Sequence, residues 1–327
     1  MKKIESRKKD HIDLVLKKGA QYSKSTGLDH VDFVHNALPE MSLEAVNLST
    51  TFFGKSLKFP VIVTAMTGGY KDAKAINRKL AACAQKCGFG LGLGSQRAMI
   101  ENPTLTSTYV VRDAAPDVPI ISNIGAFQLK RYSIDQLESL VSSVKADGLA
   151  IHLNPLQEIV QMEGDTDFSG ILDAISKVCA SLSVPVIVKE TGAGLNQEVA
   201  IKLKDAGVKY LDVAGAGGTS WSKVEYMRST AIPGFEEWGI PTMDSIIQCR
   251  GILPLVASGG IRTGIDGAKS IALGADMCGA AYPFIKAIKA GNLDTFAETF
   301  QKQMAICAYL TGSKTLSDLK KAKLFIH

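Results

Sequence analysis

Eight short apolar runs alternate along this chain with longer segments of helical periodicity. The runs occupy residues 59–65, 88–95, 118–124, 148–153, 184–190, 209–215, 253–259 and 276–282. Their apolar residues are nearly continuous, which is typical of strands buried on both faces of a parallel sheet. Eight successive strand–helix units predict a closed parallel barrel, and an open doubly wound sheet of the same size is the less economical alternative.

Helical periodicity fills the gaps between these runs and continues beyond the last of them. It predicts helices over residues 72–87, 134–146, 167–181, 197–206, 264–273 and 296–310. At 327 residues the chain exceeds the roughly 250 residues that one barrel needs. We therefore predict one α/β domain over residues 1–327: a (β/α)8 TIM barrel (56–290) with an N-terminal extension (1–55) and a C-terminal helical tail (291–327).

Charge and composition exclude several classes of protein. Lys and Arg number 37 against 32 Asp and Glu, and this net charge of +5 is too mild for a nucleic-acid partner but compatible with a small anionic substrate. No apolar run reaches about 18 residues, so we expect no membrane span. The charged start has no apolar stretch behind it, so we expect no signal peptide. The six cysteines form no CxxC pair and no zinc pattern, which favours reduced thiols and a cytoplasmic location.

Polar residues or glycines follow the predicted strands. The active sites of parallel barrels lie at the carboxyl ends of the strands, where polar residues are costly to place for packing alone. The residues in these positions are 66–69, 94–97, Asn123, 152–158, Lys189, Glu190, 215–220, 258–262 and 279–281. Because nearly all the strand ends share this pattern, the sequence predicts a functional site at that end of the barrel.

Glycines after the sixth and seventh strands predict an anion site. Glycine lets backbone N–H groups approach an anion closely, and barrels commonly bind phosphate at the loops after strands seven and eight. Thr219 and Arg262 lie beside these glycines and supply a hydroxyl and a cation. The alternative is that the glycines serve only tight turns.

Lys189 ends an apolar strand and leaves three interpretations open. It is a structural cation paired with Glu190 or Asp212, a charge held against an anionic reduced flavin, or a Schiff-base lysine. An unpaired ammonium at the end of a buried strand is costly. A partner of some kind is therefore expected, either from the protein or from a ligand.

His152 and Glu158 belong to the polar stretch that follows the fourth strand. His152 is either a hydrogen-bonded structural residue or an acid–base group, and the neighbouring Asn154 and Gln157 raise the second possibility. Glu158 is a surface acid, a general base or a metal ligand. A single carboxylate that shares Mg²⁺ with substrate phosphates is a common arrangement, and it predicts a diphosphate substrate.

Nine longer motifs distributed along the chain carry a family resemblance. They are RKKDHI (7–12), HNALPE (35–40), MTGG (66–69), GSQR (94–97), HLNPLQE (152–158), QMEGD (161–165), VKETGAG (188–194), AGAGGTSW (214–221) and SGGIR (258–262). In combination they resemble the type 2 isopentenyl diphosphate isomerases. GSQR, HLNPLQE and the basic start are specific, whereas SGGIR also occurs in other flavin barrels. Thr191 stands where the family often has Val or Ile.

The resemblance implies an FMN-dependent barrel that interconverts isopentenyl diphosphate and dimethylallyl diphosphate. It also implies Mg²⁺, a requirement for reduced FMN without net redox change, and NADPH as the usual reductant. A homo-oligomer, a tetramer or an octamer, is expected from the same resemblance. Since the mild net charge predicts no nucleic-acid partner and the apolar runs are too short for a membrane span, the only other partner expected is the diphosphate substrate.

The resemblance also implies a role for individual residues, carried over by motif position. Flavin contacts are expected from Ala65, Met66, Thr67, Ser95, Asn123, Lys189 and Thr219, and contacts to its phosphate end from Gly259, Gly260, Arg262, Ala280 and Ala281. Substrate contacts are expected from Arg7, Lys8, Ser95, Gln96, Arg97, His152, Asn154 and Gln157. Glu158 is the expected metal ligand, and the expected catalytic residues are Gln157, His152 and Lys189. Gln157 orients or relays a proton and is no strong base, because an amide does not titrate usefully.

Three competing functions fit parts of the pattern. A flavin barrel that oxidises 2-hydroxy acids needs a general base, usually histidine, near the end of the barrel, and residues 154–325 contain none. A nucleotide dehydrogenase needs a cysteine after the sixth-strand loop, and the next one after Gly218 is the distant Cys249. A non-catalytic flavin- or phosphate-binding protein does not need Arg97 and the Gln157–Glu158 pair at the same end of the barrel.

Overall fold

The computed structural model describes residues 14–16, 20–65, 67–228 and 232–327. Within these ranges, eight parallel strands close into a barrel in the order β4 to β11, with β11 paired back onto β4. The strands are β1 (Val31–Phe33), β2 (Thr50–Phe52), β3 (Lys55–Leu57), β4 (Val61–Val63), β5 (Gly90–Gly92), β6 (Ile120–Gly125), β7 (Gly148–Leu153), β8 (Val186–Glu190), β9 (Tyr210–Asp212), β10 (Leu255–Ala257), β11 (Met277–Ala280) and β12 (Leu324–Ile326). The predicted (β/α)8 TIM barrel is confirmed. Each barrel strand lies inside its predicted apolar run, except that β6 extends one residue further, to Gly125.

Helices follow the barrel strands and form the outer layer. They are α1 (Ala73–Cys87), α2 (Arg97–Glu101), α3 (Ile134–Ser143), α4 (Pro155–Val160), α5 (Ile171–Ser181), α6 (Gln197–Asp205), α7 (Trp221–Arg228), α8 (Thr242–Cys249), α9 (Gly264–Ala272), α10 (Tyr282–Ala290), α11 (Leu293–Leu310) and α12 (Leu316–Leu319). Short 3-10 helices cover Leu28–His30, Leu43–Ala45, Pro103–Thr108 and Ala126–Lys130. The six helices predicted from periodicity are present, with ends shifted by a few residues.

Local sequence signals set several helix ends. Ser133 and Gln136 form a capping box at the start of α3. Thr263 and Asp266 form another at the start of α9, and Asp266 Oδ2 also accepts from the backbone N–H of Arg262 at 3.0 Å. Such boxes satisfy backbone donors that a helix N-terminus leaves without partners. The box on α9 therefore fixes both the helix start and the loop that precedes it.

A hairpin of β2 and β3 covers the amino-terminal end of the barrel. Its turn residues Phe53 and Gly54 both have positive φ, 48° and 74°, as a tight two-residue hairpin turn requires. The Phe53 ring lies 4.5 Å from the ring of Tyr210, the first residue of β9. It also lies against Gly148, the first residue of β7, where a Cβ would come within 2.2 Å of it. The hairpin thus closes the end of the barrel opposite the predicted site.

The C-terminal tail contains a strand that the sequence pattern did not predict. Helices α11 and α12 are present as expected, but β12 then pairs antiparallel with β1 of the N-terminal extension. Val31 lies opposite Ile326 and Phe33 opposite Leu324. The two ends of the described chain are therefore joined by backbone hydrogen bonds outside the barrel, and the tail is not purely helical.

An aromatic cluster packs α10 and α11 against the barrel and gives a test of the fold. Phe284 is fully buried, with ring centroids 5.1 Å from Phe296 and 6.2 Å from both Phe89 and Phe300. We expect Phe284→Ala to lower the free energy of unfolding by about 3–5 kcal/mol, because it removes buried area and leaves a cavity. Chemical denaturation at constant slope measures this loss. Phe325→Ala, at a side chain that is 57% exposed, is the matched control and should change little; equal losses for the two variants would contradict the assignment of this core.

Candidate active site

A cavity of about 990 Å³ opens at the carboxyl ends of the barrel strands. Its wall brings together sequence-predicted residues from all eight strand ends. They are Ala65, Ser95, Arg97, Asn123, His152, Asn154, Gln157, Glu158, Lys189, Thr219, Gly259, Gly260, Arg262, Ala280 and Ala281. Motifs far apart in the sequence thus converge on one cavity. Arg7, Lys8 and Met66, also predicted to contact ligands, lie outside the described residues.

Two predicted contact residues do not reach the cavity with their side chains. Gln96 is fully buried; its Oε1 accepts from the backbone N–H of Asn123 at 3.0 Å. Thr67 is 3% exposed, and its hydroxyl is hydrogen-bonded to the buried side chain of Asn77. In both cases a neighbouring buried polar group already occupies the side chain. Both side chains therefore support the wall from behind, and the predicted ligand contacts of the two residues stay predictions.

Asn123 orients the imidazole of His152. His152 Nδ1 lies 2.9 Å from Asn123 Oδ1, while Asn123 Nδ2 donates to the carbonyl of Leu93 at 3.0 Å. Because the amide nitrogen is committed to Leu93, Asn123 offers only its oxygen to the ring. We therefore assign the proton to Nδ1 of His152, which makes Nε2 the acceptor of the neutral imidazole.

Lys189 lies in a row of polar residues across three neighbouring strands. The parallel register aligns His152 on β7 with Lys189 on β8, and Lys189 with Asp212 on β9. Lys189 Nζ donates to the backbone carbonyl of Glu190, and its side chain also lines the cavity. Burial raises the pKa of Asp212, and the charge of Lys189 opposes this rise. The ammonium thus has fixed protein neighbours and still faces the cavity.

Glu190 is a buried carboxylate directly behind the wall. It is 5% exposed, and its Oε2 accepts from the backbone N–H of Thr191 at 2.6 Å and from those of Gly192 and Ala193. Burial raises its pKa to about 7, against the lowering effect of these three donors and of Lys189. Glu190 therefore shapes the loop after β8, from which Thr191 and Gly192 contact the cavity.

Glu158 stands on the first turn of α4 with both carboxylate oxygens hydrogen-bonded. Oε1 accepts from Asn154 Nδ2 at 2.8 Å, and Oε2 accepts from the backbone N–H of Asp165 at 2.9 Å and from the Gln161 side chain. These donors are neutral. In the part of the chain that the structure describes, Glu158 forms no ion pair, and no group of three or more His, Cys, Asp or Glu residues is placed to hold a metal.

Glu225 and its partners form a cluster that the sequence motifs did not reveal. Glu225 is 2% exposed, lines the cavity, and accepts from Gln157 Nε2 at 2.8 Å. Its other oxygen accepts from Arg228 Nη1 at 2.6 Å. The signal in the sequence is weak, because Glu225 belongs to a helix after the glycine-rich loop with no motif of its own. The cluster places an ion pair beside Gln157.

Arg131 is a second cavity residue outside the predicted set. It lies after β6, pairs with Asp165 at 3.0 Å, and stacks over the Phe127 ring at 4.7 Å. Arg97 lines the same cavity and pairs with Glu101 at 2.6 Å. Each cation is held by an exposed or half-exposed partner, and such pairs are weak enough to exchange for a stronger anion.

The glycine-rich loops after β9 and β10 touch each other through their main chains. A Cβ on Gly259 would come within 2.1 Å of the carbonyl oxygen of Gly215, and one on Gly218 within 2.5 Å of the backbone nitrogen of Gly260. Gly259 and Gly260 also have φ values of 99° and 73°, which side chains disfavour. Both reasons require glycine. With the Thr219 hydroxyl and the Arg262 guanidinium beside it, this cradle suits a bound phosphate.

The chain matches a family of known proteins and named relatives over most of its length. Residues 140–325, more than half of the chain, match the FMN-dependent dehydrogenase family. The chain is 45% identical to the isopentenyl-diphosphate delta-isomerase of Rickettsia africae, across 97% of this chain and 96% of that protein. It is 46% identical to the enzyme of the same name from Rickettsia bellii, with the same coverage.

The chain belongs to the type 2, FMN-linked isopentenyl-diphosphate delta-isomerase family. As a member of that family it is an isomerase and a flavoprotein by sequence, which confirms the resemblance carried by the motifs. Helices long and apolar enough to cross a bilayer are absent from the described ranges of this isomerase.

Solved structures with the same fold come from another reaction class. A lactate oxidase from Pediococcus acidilactici superposes with a TM-score of 0.70 at 17% identity, over 99% of this chain and 94% of that one. A mandelate oxidase superposes with a TM-score of 0.69 at 15% identity, over 98% and 97%. At such identity the likeness shows the barrel fold alone.

The buried Glu190 gives the stability of this isomerase a pH dependence. Its pKa is raised from 4.5 to about 7, so between these values the folded protein holds a proton that the unfolded chain releases. The associated stability is present below pH 4.5 and is lost as the pH rises through 7. Glu190→Gln resembles the protonated side chain, so its free energy of unfolding should not fall in this way. We expect the free energy of unfolding of the variant to rise relative to that of the wild type by on the order of 3 kcal/mol between about pH 5 and pH 8.

Denaturant unfolding at several pH values measures this difference. Glu138→Gln is the matched control, because it makes the same change at a carboxylate that accepts from the backbone N–H of Ser183 at 2.8 Å in an exposed hydrogen bond. A Glu190→Gln difference that stays flat with pH would show that Glu190 titrates normally.

Proposed function

We propose that this protein interconverts isopentenyl diphosphate and dimethylallyl diphosphate with FMN as cofactor, Mg²⁺ as the diphosphate-binding ion and NADPH as reductant. One observation carries the proposal. The segments GSQR, HLNPLQE and SGGIR, which are far apart in the sequence, meet on one cavity wall in a chain 45% identical to named isomerases over almost its whole length.

The cavity fits a flavin mononucleotide at its glycine-rich side. Gly259, Gly260 and Arg262 form the cradle for the phosphate end, and Ala280 and Ala281 complete it. Ala65, Ser95, Asn123, Lys189 and Thr219 would contact the remainder of the cofactor. When bound, reduced FMN supplies a planar surface and an acid–base centre for a hydrocarbon that offers nothing to hydrogen-bond. Lys189 would hold a positive charge beside its anionic edge.

The diphosphate and its metal ion fit the opposite side. Arg97 supplies a cation, and His152 and Asn154 supply hydrogen bonds that fix the orientation of the diphosphate. Arg131 lies on the same wall and adds charge. Glu158 suits Mg²⁺ because its hydrogen-bond donors are neutral and leave its charge uncompensated, and Mg²⁺ needs only one or two carboxylates when it keeps waters and phosphate oxygens.

Double-bond migration needs one proton added to a carbon and another removed from a carbon. Gln157 lines the cavity between Asn154 and Glu225. Asn154 Nδ2 lies 3.4 Å from Gln157 Oε1, and Gln157 Nε2 donates to Glu225. These contacts fix the direction of the amide. Gln157 therefore orients the reacting group, while Glu225, paired with Arg228, places a carboxylate one hydrogen bond further away. His152, through Nε2, is a further acid–base group on the wall.

Several wider properties accompany the proposal. The six cysteines of this chain, all within the described residues, are free thiols, which supports work in the reducing cytoplasm. A homo-oligomeric state, a tetramer or an octamer, and a single-domain chain remain predictions from the family resemblance and the sequence pattern. Light scattering on the purified protein tests the first of these, and limited proteolysis tests the second.

Isomerisation of isopentenyl diphosphate with FMN, NADPH and Mg²⁺ tests the proposal directly. We expect activity to require each addition, and no oxidation of lactate or mandelate.

Glu158→Gln should retain FMN and raise the Mg²⁺ concentration for half-maximal activity by roughly tenfold or more, because a carboxylate ligand is lost. The matched control is Glu163→Gln on the same wall. An unchanged Mg²⁺ titration for Glu158→Gln would remove Glu158 from the metal site, and oxidase activity without isomerisation would overturn the proposed reaction.

Lys189→Met tests the charge beside the flavin. Methionine keeps the length of the side chain and removes its charge, so the reduced, anionic cofactor loses more stabilisation than the oxidised one. We expect a lower FMN reduction potential and a large loss of isomerisation, with little change in the affinity for oxidised FMN. Redox titration of the two proteins side by side measures the shift. Equal potentials with normal turnover would leave Lys189 as a structural partner of Glu190 and Asp212.

A further inference from the structure

Residues 20–26 run across the glycine-rich loop after β9 like an added strand. The backbone N–H of Tyr22 donates to the carbonyl of Gly218 at 2.8 Å, and that of Ser220 donates to Ala20 at 2.9 Å. Gln21 and Thr219 form an isolated antiparallel bridge between them. This segment belongs to the N-terminal extension, and none of its residues was predicted to serve the site.

The side chain of Gln21 joins the two loops of the phosphate cradle. Its Nε2 donates to Thr219 Oγ1 at 3.2 Å, and its Oε1 accepts from Arg262 Nη2. Thr219 follows β9, whereas Arg262 follows β10. One amide therefore clamps a hydroxyl and a guanidinium that come from different loops and line the same cavity.

The other contacts of Arg262 fix its position but not the direction of its N–H groups. Its backbone N–H is held by Asp266 Oδ2, and its guanidinium lies 4.8 Å over the Tyr282 ring. Stacking leaves the guanidinium free to turn about the ring normal. The hydrogen bond that Arg262 Nη2 donates to Gln21 Oε1 selects one orientation.

The neutrality of Gln21 matters for an anion site. A carboxylate in its place would pair with Arg262 and cancel the charge that a phosphate needs. An amide oxygen orients the guanidinium without neutralising it. Asp266, the acid nearest along the chain, is occupied by the backbone N–H groups of Arg262 and Thr263. Burial works against the charge of Arg262 and lowers its pKa, so the charge is costly to keep unless an anion uses it.

We propose that Gln21 is a positioning residue for the phosphate of FMN, which acts by holding Arg262 and Thr219 in the geometry that receives a phosphate. The inference rests on the proposed function, because it takes the cradle of Gly259, Gly260 and Arg262 as the phosphate end of the flavin site. It adds that the N-terminal extension is part of cofactor binding. Gln21 itself does not line the cavity and acts through its two partners.

Riboflavin, which lacks the phosphate, separates this role from a structural one. The full-length protein, freed of flavin, is titrated with FMN and with riboflavin by flavin fluorescence. Gln21→Ala should weaken FMN binding by about tenfold, the effect of one orienting hydrogen bond, and leave riboflavin binding unchanged. Gln21→Glu, which has the same shape, should weaken FMN binding further, because its carboxylate pairs with Arg262 and repels the phosphate.

Two further variants make the outcome decisive. Gln85→Ala is the matched control, because the Gln85 amide donates to Asp117 at 2.8 Å on the outside of the barrel; it should bind both flavins as the wild type does. Arg262→Ala should weaken FMN selectively and so locate the phosphate. If Arg262→Ala does so while both Gln21 variants match the wild type, the inference is overturned and the proposed function stands.

Three other results would overturn the inference or the proposed function. Equal weakening of FMN and riboflavin by Gln21→Ala would show a structural role and overturn the inference. If Arg262→Ala and the Gln21 variants all fail to discriminate between the two flavins, the phosphate lies elsewhere and the inference falls with that part of the proposed site. A wild-type protein that binds neither flavin would overturn the proposed function itself. Thermal unfolding of the flavin-free variants checks that each is folded.

Discussion

Closure of the barrel between β11 and β4 is the constraint on which the site depends. Cys278, Gly279 and Ala280 pair in parallel with Val61, Ile62 and Val63, so the first and last barrel strands become neighbours. Because every strand of the closed sheet runs in the same direction, all their carboxyl ends meet at one rim. The seam itself requires glycine. A Cβ on Gly279 would come within 2.5 Å of the Thr64 side chain.

The rim divides into a side built from main chain and a side built from side chains. After β9 and β10 the loops touch through glycines, and the segment 20–26 packs over them; a Cβ on Gly260 would come within 2.3 Å of Thr26. This crowding leaves backbone groups and one oriented guanidinium to face an anion. At the carboxyl ends of β5, β6 and β7 the rim instead carries Arg97, Asn123 and His152, whose directions are set by hydrogen bonds and ion pairs.

Buried charge concentrates between these two sides. Lys189 stands beside Asp212 in the register and against the carbonyl of Glu190, and both carboxyl groups are almost fully buried. A buried carboxylate is tolerated only with compensation. Asp212 has the Ser258 hydroxyl at 2.6 Å, and Glu190 has three backbone N–H groups. The protein thus accepts an energetic cost here to keep an ammonium at the cavity wall.

The sequence predicted those parts of the molecule that repeat or that carry a motif. The barrel strands are recognisable because their apolar residues are continuous, and the rim because polar residues follow each strand. Strand β12 was not predicted, since three residues at an edge give no periodicity. Gln96 was expected at the substrate from its place in the GSQR motif, and the motif could not show that its side chain is buried and accepts from the backbone N–H of Asn123. Glu225, Arg131 and Gln21 were missed because their roles arise from tertiary contacts between segments distant in sequence.

The fold by itself does not separate this isomerase from the oxidases that share it, so the chemistry has to come from the wall residues. The sequence from residue 154 to residue 325 contains no histidine, and His152 on β7 is oriented by Asn123. Where an oxidase of 2-hydroxy acids needs a strong base to accept a proton, this wall offers Gln157, an amide whose direction is fixed by Asn154 and Glu225. An amide cannot take the proton of a hydroxyl group. The same barrel fold therefore carries, in this isomerase, wall residues whose chemistry differs from what an oxidase of 2-hydroxy acids requires.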